Sequence, residues 1–164
     1  MRRPKTMTLA KVISGGQTGV DRGALDAALR AGFPCGGWCP PQRLAEDGPI
    51  PNAYPLQEVP VGGYRERTIR NVADSDGSVI VYFGRPEGGT QLTLLECIKL
   101  EKPYEPIDAN KVPLDRAASR VAAFVAEQRI ATLNVAGPRA SEAPRGYEYA
   151  FDLITNLLMT RQAS

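Results

Sequence analysis

A chain of 164 residues, 43% hydrophobic and 7% aromatic, has enough material for one core and is too apolar to remain disordered. Its 20 Lys and Arg against 18 Asp and Glu leave a formal charge of +2, too weak a field for a nucleic-acid coat or an acidic membrane partner. There is no histidine, which excludes Ser-His-Asp and Cys-His catalysis, His-ligated zinc or haem, and any side chain whose ordinary pKa lies near neutrality.

Residues 1–8 read as a basic, frayed tail without a following apolar stretch of signal-peptide length, which points to the cytoplasm. Residues 9–164 read as a single domain. Its first strand is predicted over 10–14, followed by a helix over 21–31. In that helix Leu25, Ala28, Leu29 and Gly32 share one face, and Arg22–Asp26 and Asp26–Arg30 are spaced for ion pairs. A second strand covers 34–38. Residues 40–63 hold six prolines and little periodicity, a long loop of the kind that often serves function.

Helical spacing returns over 64–74, where Arg65, Arg67, Arg70 and Asn71 form a basic face that leads into the central strand. Asp74-Ser75-Asp76-Gly77 reads as a helix-stopping turn, since calcium-loop spacing is missing. Strands are then predicted over 78–83, 104–107 and 131–136, alternating with helices over 90–101, 114–128 and 145–161. The apolar stripes Leu114, Ala118, Val121, Ala122, Val125 and Tyr147, Phe151, Ile154, Leu158 read as core. Cys35, Cys39 and Cys97 lack CxxC pairing and read as small core or pocket-wall residues, so no metal site is expected from the side chains.

Strands alternating with helices define an α/β class: a doubly wound, mostly parallel, Rossmann-like sheet with helices on both faces. In such a sheet the strand C-termini share one edge, and three glycine-containing strand-to-helix loops fall there. The first, Ser14-Gly15-Gly16-Gln17-Thr18-Gly19-Val20-Asp21-Arg22, offers backbone amides at a helix start to an anion such as phosphate, with Gln17, Thr18 and Arg22 as further partners. It is neither a Walker loop nor a strict GxGxxG. The second carries Gly88, Gly89 and Thr90 and is followed by Thr93 and Glu96; the third carries Gly137, Arg139 and Ser141, the arginine being a planar fork for phosphate or carboxylate. Trp38 reads either as a ring-stacking wall or as core filler. Asp21 reads either as a first-turn helix acid or as a catalytic carboxylate, and Glu96 as a surface residue or a second such carboxylate.

With these motifs in order from about residue 10 to 160, the chain resembles the family labelled "putative molybdenum carrier", a branch of the SLOG superfamily. The match rests on Gly15-Gly16-Gln17-Thr18-Gly19-Val20-Asp21-Arg22, Gly37-Trp38-Cys39-Pro40, Ala45-Glu46-Asp47-Gly48-Pro49-Ile50-Pro51, Gly88-Gly89-Thr90 and Asn134-Val135-Ala136-Gly137-Pro138-Arg139. The resemblance implies a ligand cleft at the glycine loops, a homo-oligomer, and binding of a molybdenum cofactor (molybdopterin) or a nucleotide. Related branches similar to the Lonely Guy enzymes hydrolyse N-glycosidic bonds through a PGGxGTxxE segment. Here Gly88 to Glu96 keeps the Gly-Gly and the Thr93-x-x-Glu96 ending, but Thr90 and Leu92 depart from that pattern.

Two functions follow as expectations. One is a binding module that holds a phosphorylated small molecule at the three loops, as carrier or sensor, with no nucleic-acid or membrane partner. The other is a nucleotide hydrolase in which Glu96 or Asp21 supports cleavage at the anomeric carbon.

Overall fold

Five parallel strands form the central sheet of the computed structural model, which describes residues 9–163. The chain runs β1 (Lys11–Ile13), α1 (Val20–Arg30), β2 (Cys35–Gly36), β3 (Trp38–Cys39), a 3-10 turn at Pro41–Arg43, β4 (Leu44–Ala45), β5 (Gly48–Pro49) and β6 (Gln57–Glu58). It continues through α2 (Tyr64–Asp74), β7 (Gly77–Tyr82), α3 (Gly88–Lys99), β8 (Tyr104–Asp108), α4 (Leu114–Glu127), β9 (Thr132–Ala136) and α5 (Gly146–Ala163). The basic tail expected over residues 1–8 lies outside the described residues.

The sheet order is β2-β1-β9-β7-β8. The last strand in sequence therefore occupies the centre. Counted as though the chain began at β9 and ran on through β1, this is the 3-2-1-4-5 order of a doubly wound sheet, with its reversal between β9 and β7. Ligands of such folds sit outside the strand C-termini at that reversal.

β7 shows how the sequence builds the two layers. Its β-branched run suits a strand buried on both faces. Val79 and Val81 join the large cluster beneath α1, α4 and α5, while Ile80 packs with Val72 of α2 and Cys97 of α3 on the opposite face.

Several expectations change in detail. The second predicted strand breaks at Gly37, whose φ of +130° separates β2 from β3. Leu29 is 40% exposed, because the buried stripe of α1 runs through Ala24, Leu25, Ala27 and Ala28 and turns Leu29 outward. Neither expected ion pair of α1 forms: Arg22 pairs with Asp47, Asp26 accepts the Tyr147 hydroxyl, and Arg30 lies over the Phe151 ring. In each case a side chain from outside the helix takes the place of the i,i+4 neighbour. Tyr147, expected in the core stripe of the last helix, is 40% exposed, whereas Ile154 and Leu158 are buried.

The proline-rich segment 40–63 is an ordered lobe. β4 and β5 pair antiparallel, β6 pairs with β3, and Cys39, Ala45, Ile50 and Leu56 close over Leu25. Arg43 organises it: its guanidinium donates to the carbonyls of Ile50, Pro51, Tyr54 and Leu56 at 2.8–3.2 Å, satisfying backbone groups that short strands leave unpaired. The Asp76 turn does stop α2, and its carboxylate accepts the Ala131 and Thr132 amides just ahead of β9. Cys39 and Cys97 are buried in apolar clusters and all three cysteines are free thiols. No helix among the described residues is long and apolar enough to cross a membrane.

Candidate functional site

The ends of β1, β7 and β9 open on one edge of the sheet, and the three glycine loops meet there around a cleft of about 240 Å³. Of the residues expected at the site, Gly15, Gln17, Asp21, Gly88, Gly89, Thr90, Gly137 and Arg139 line it. The others do not, and each has a definite place.

The first loop is largely devoted to holding its neighbours. Gly16 has φ +80°, and a Cβ there would lie 2.4 Å from Leu56 Cδ1, so it turns into the 40–63 lobe. Gly19 packs against the Pro138–Ala140 backbone. Thr18 Oγ1 accepts the Ala140 amide at 3.1 Å and donates to Glu46, which also accepts the Ser141 amide at 3.2 Å and the Ser141 hydroxyl at 2.7 Å. These hydrogen bonds hold the Glu46 carboxyl below its ordinary pKa. Gln17 Oε1 accepts from both Thr18 N and Glu46 N. Arg22 grips Asp47 with both terminal nitrogens, at 2.5 and 2.8 Å, and donates from Nε to Gly16 O. Thr18, Glu46 and Arg22 thus clasp loop one, loop three and the lobe together, leaving the inner side of loop one for the cleft.

The second loop is built differently. Thr90 and Gln91 make the first backbone bonds of α3, both to Glu87 O, so the Gly88 and Gly89 amides stand ahead of the helical ladder. A Cβ on either glycine would meet nothing within 4 Å. The first turn of α3 carries no acidic residue; its N-cap is Glu87, which pairs with Arg85 at 3.0 Å.

α2 supplies a wall that the expected site left out, although Arg67 and Asn71 belong to the basic face read from the sequence. Tyr64, Arg67, Thr68 and Asn71 face the cleft, at spacings of three and four that put them on one helical face. That spacing, anchored by the polar Thr68 and Asn71, is the signal that identifies them. Arg67 Nη1 donates to Gly15 O at 3.0 Å and lies 3.5 Å from Asp21 Oδ2. The guanidinium carbons of Arg67 and Arg139 stand 5.4 and 5.9 Å from the Tyr64 ring centre. Arg139 Nε also pairs with Glu142 at 3.1 Å. Asp21 is 6% exposed; burial raises its pKa, opposed by Arg67 and by the Gln17 amide it accepts at 3.2 Å.

Trp38 exchanges backbone hydrogen bonds with the Asn71 side chain at 2.8 and 3.0 Å, but its ring lies outside the cleft in a separate groove with Lys11 and Thr132, its indole donating to Asp74 at 2.6 Å and Arg70 lying over its ring. Glu96 is on the buried face of α3 with Thr90 and Thr93 but does not line the cleft, being roughly 9 Å along the helix from Thr90 at 1.5 Å per residue. Among the described residues no cluster of three or more His, Cys, Asp or Glu is placed to hold a metal ion.

A parallel sheet that reverses beside a cleft bounded by three strand-to-helix loops defines a Rossmann-like ligand-binding domain. Its central last strand has a family-level counterpart: residues 12–158 match the circularly permutated YpsA SLOG family, and the chain belongs to that family. A solved structure, the crystal structure of a "putative molybdenum carrier protein" from Syntrophus aciditrophicus SB, is similar at a TM-score of 0.90 and 42% identity. The similarity covers 92% of this chain and 96% of that one. No curated protein matches the sequence.

Proposed function

We propose that the protein binds a phosphorylated small molecule in this cleft, with the phosphate at the start of α3. The observation that carries the reading is the open space over Gly88 and Gly89, with their amides ahead of the helical ladder and the guanidinium of Arg139 on the facing wall. The fold does not need glycine at position 89, where φ is not positive and no atom crowds a Cβ, whereas an anion seated on the amides does.

The neighbour's name extends the reading to a molybdenum-related ligand. The residues fit the organic part of a molybdopterin-type cofactor: its phosphate suits α3 and Arg139, and its polar ring edge suits Gln17 and Asn134. No cysteine lines the cleft, so the metal would be carried by the cofactor's own dithiolene sulfurs. A nucleotide suits the same walls. The test is to purify the protein gently, denature it and identify what is released by mass spectrometry. A phosphorylated pterin or a nucleotide is the expected result; a ligand without phosphate, or none from a protein that also fails to bind added nucleotides or pterins, overturns the reading.

A second reading, hydrolysis of a nucleotide N-glycosidic bond, is favoured by one feature: Asp21 is a buried carboxyl in the cleft wall whose pKa is raised. In this reading Asp21, and not Glu96, is the general acid that protonates the leaving base, the role a raised pKa suits. Release of free base from nucleoside monophosphates, lost in Asp21→Asn and retained in Glu96→Gln, is the expected result; absence of free base from wild type sinks it.

A further inference from the structure

α3 differs from its neighbours in what it turns outward. α2 exposes Arg65, Glu66 and Arg70, and α4 exposes Asp115, Arg116 and Glu127, the polar outer faces expected of helices that cover a sheet. α3 directs Thr90, Thr93 and Cys97 inward, yet its outer face carries Leu95 and Ile98 at 54% and 53% exposure, three residues apart and so on one side of the helix. Leu94 stands one turn before Ile98 and is half-buried. Tyr104 of β8, 36% exposed, is the register partner of Ser78 and so shares the sheet face that Ile80 and α3 cover. None of Leu95, Ile98 and Tyr104 lines the cleft. Together they expose roughly 300 Å² of largely apolar side chain, the size at which a patch marks an interface and about a third of the ~800 Å² that each partner of a stable complex buries.

The adjoining edge of the sheet is closed to an added strand. Pro106, in the middle of β8, has no N–H to donate, and Arg120 donates to the Pro106 carbonyl at 2.8 Å. Whatever covers this face therefore packs on side chains, and the charges of α3 select a second copy of it. Glu87, Gln91, Leu95 and Ile98 follow one another at helical spacing, with acidic Glu87 at one end and basic Lys99 at the other. Two such helices laid antiparallel about a two-fold axis at Leu95 seat Leu95 on its counterpart and Ile98 on the partner's Gln91. Lys99 then stands roughly 6 Å along the axis from the partner's Glu87 at 1.5 Å per residue, within the reach of its side chain. The exposed pairing of Glu87 with Arg85 is weak and yields readily. We propose that this face forms a homodimer, α3 packing antiparallel on its symmetry mate at Leu95, with Lys99 of each chain facing Glu87 of the other.

Sedimentation velocity of the full chain over about 1–100 µM tests this, since a dimer grows with concentration by mass action. A species of twice the 17.7 kDa chain mass is the expected result. Leu95→Lys combined with Ile98→Lys raises the dimer dissociation constant by about tenfold or more, as loss of central apolar contacts does. Met159→Lys, at a still more exposed apolar position on α5, leaves it unchanged. Lys99→Glu weakens the dimer severalfold and adding Glu87→Lys restores it, with circular dichroism reporting an intact fold for every variant. A chain that stays monomeric throughout overturns the proposal and leaves the face to a different protein. A dimer that survives the Leu95 and Ile98 changes, or that Met159→Lys dissociates, also overturns it, because association then runs through another surface.

Discussion

Arg67 on α2 and Asp21 on α1, 46 residues apart in sequence, meet at 3.5 Å in the wall of the cleft. The two are unequal partners. Burial pushes the Asp21 pKa up more than Arg67 and the Gln17 amide pull it down, so the folded protein favours the neutral acid relative to an unfolded chain with an ordinary value of 3.8.

The sign of the pH effect follows. Asp21 contributes stability below pH 3.8 that is lost as pH rises from there through its raised folded value. Asp21→Asn keeps the shape and removes the titration. Urea denaturation at acid and neutral pH is expected to show the variant gaining on wild type as pH rises across that window; a constant difference would contradict the account.

Asp47 has the opposite sign. The Arg22 hydrogen bonds depress its pKa, so the pair stabilises above 3.8 and the contribution fades as pH falls through the lowered value. Because the Asp47 side chain is half exposed, Asp47→Asn is expected to cost only about 0.5–1 kcal/mol at neutral pH. The larger effect is local: amide exchange over residues 43–59 accelerates, measured by mass spectrometry, while β7 remains protected.

Two glycines distinguish folding from binding. Gly16→Ala places a Cβ 2.4 Å from Leu56 at positive φ and is expected to cost about 1–3 kcal/mol in denaturation experiments. A bulkier change such as Gly16→Val therefore disturbs the fold itself. Gly89→Ala has open space and a helical position, so stability is unchanged or rises by about 0.5–1 kcal/mol while ligand retention falls.

Arg139 is 39% exposed at its side chain and stands over Tyr64. Arg139→Ala is expected to lower affinity for a phosphorylated ligand by about tenfold, in the range of a charge-assisted hydrogen bond, and to flatten the dependence of affinity on salt. Titration at two ionic strengths reads both effects; an unaltered salt dependence would place the phosphate elsewhere.

Much of this was legible in the chain itself. Alternating β-branched runs and helical stripes fixed the positions of all five helices to within two residues, because periodicity reports burial directly. The three loops could be placed on one edge because parallel strands force their C-termini together. What the stripes could not reveal was competition among partners. Arg22 has Asp26 four residues away and still pairs with Asp47; Thr18 looks like a ligand-binding hydroxyl and is consumed by Glu46 and Ala140.

The sequence by itself determined that backbone amides, glycines, arginine and carboxylates, not imidazole, are the chemical means available, and that they gather at one sheet edge. The tertiary structure alone decided which of them face the cleft. Gly16 and Gly89 are chemically identical, yet one is fixed by Leu56 and the other opens to space, because strand order, with β9 brought between β1 and β7, sets what each loop packs against. The same packing set Arg67 opposite Asp21 and turned the Trp38 ring out of the cleft into a separate groove, since contacts between residues far apart in the chain leave no period in sequence to be read.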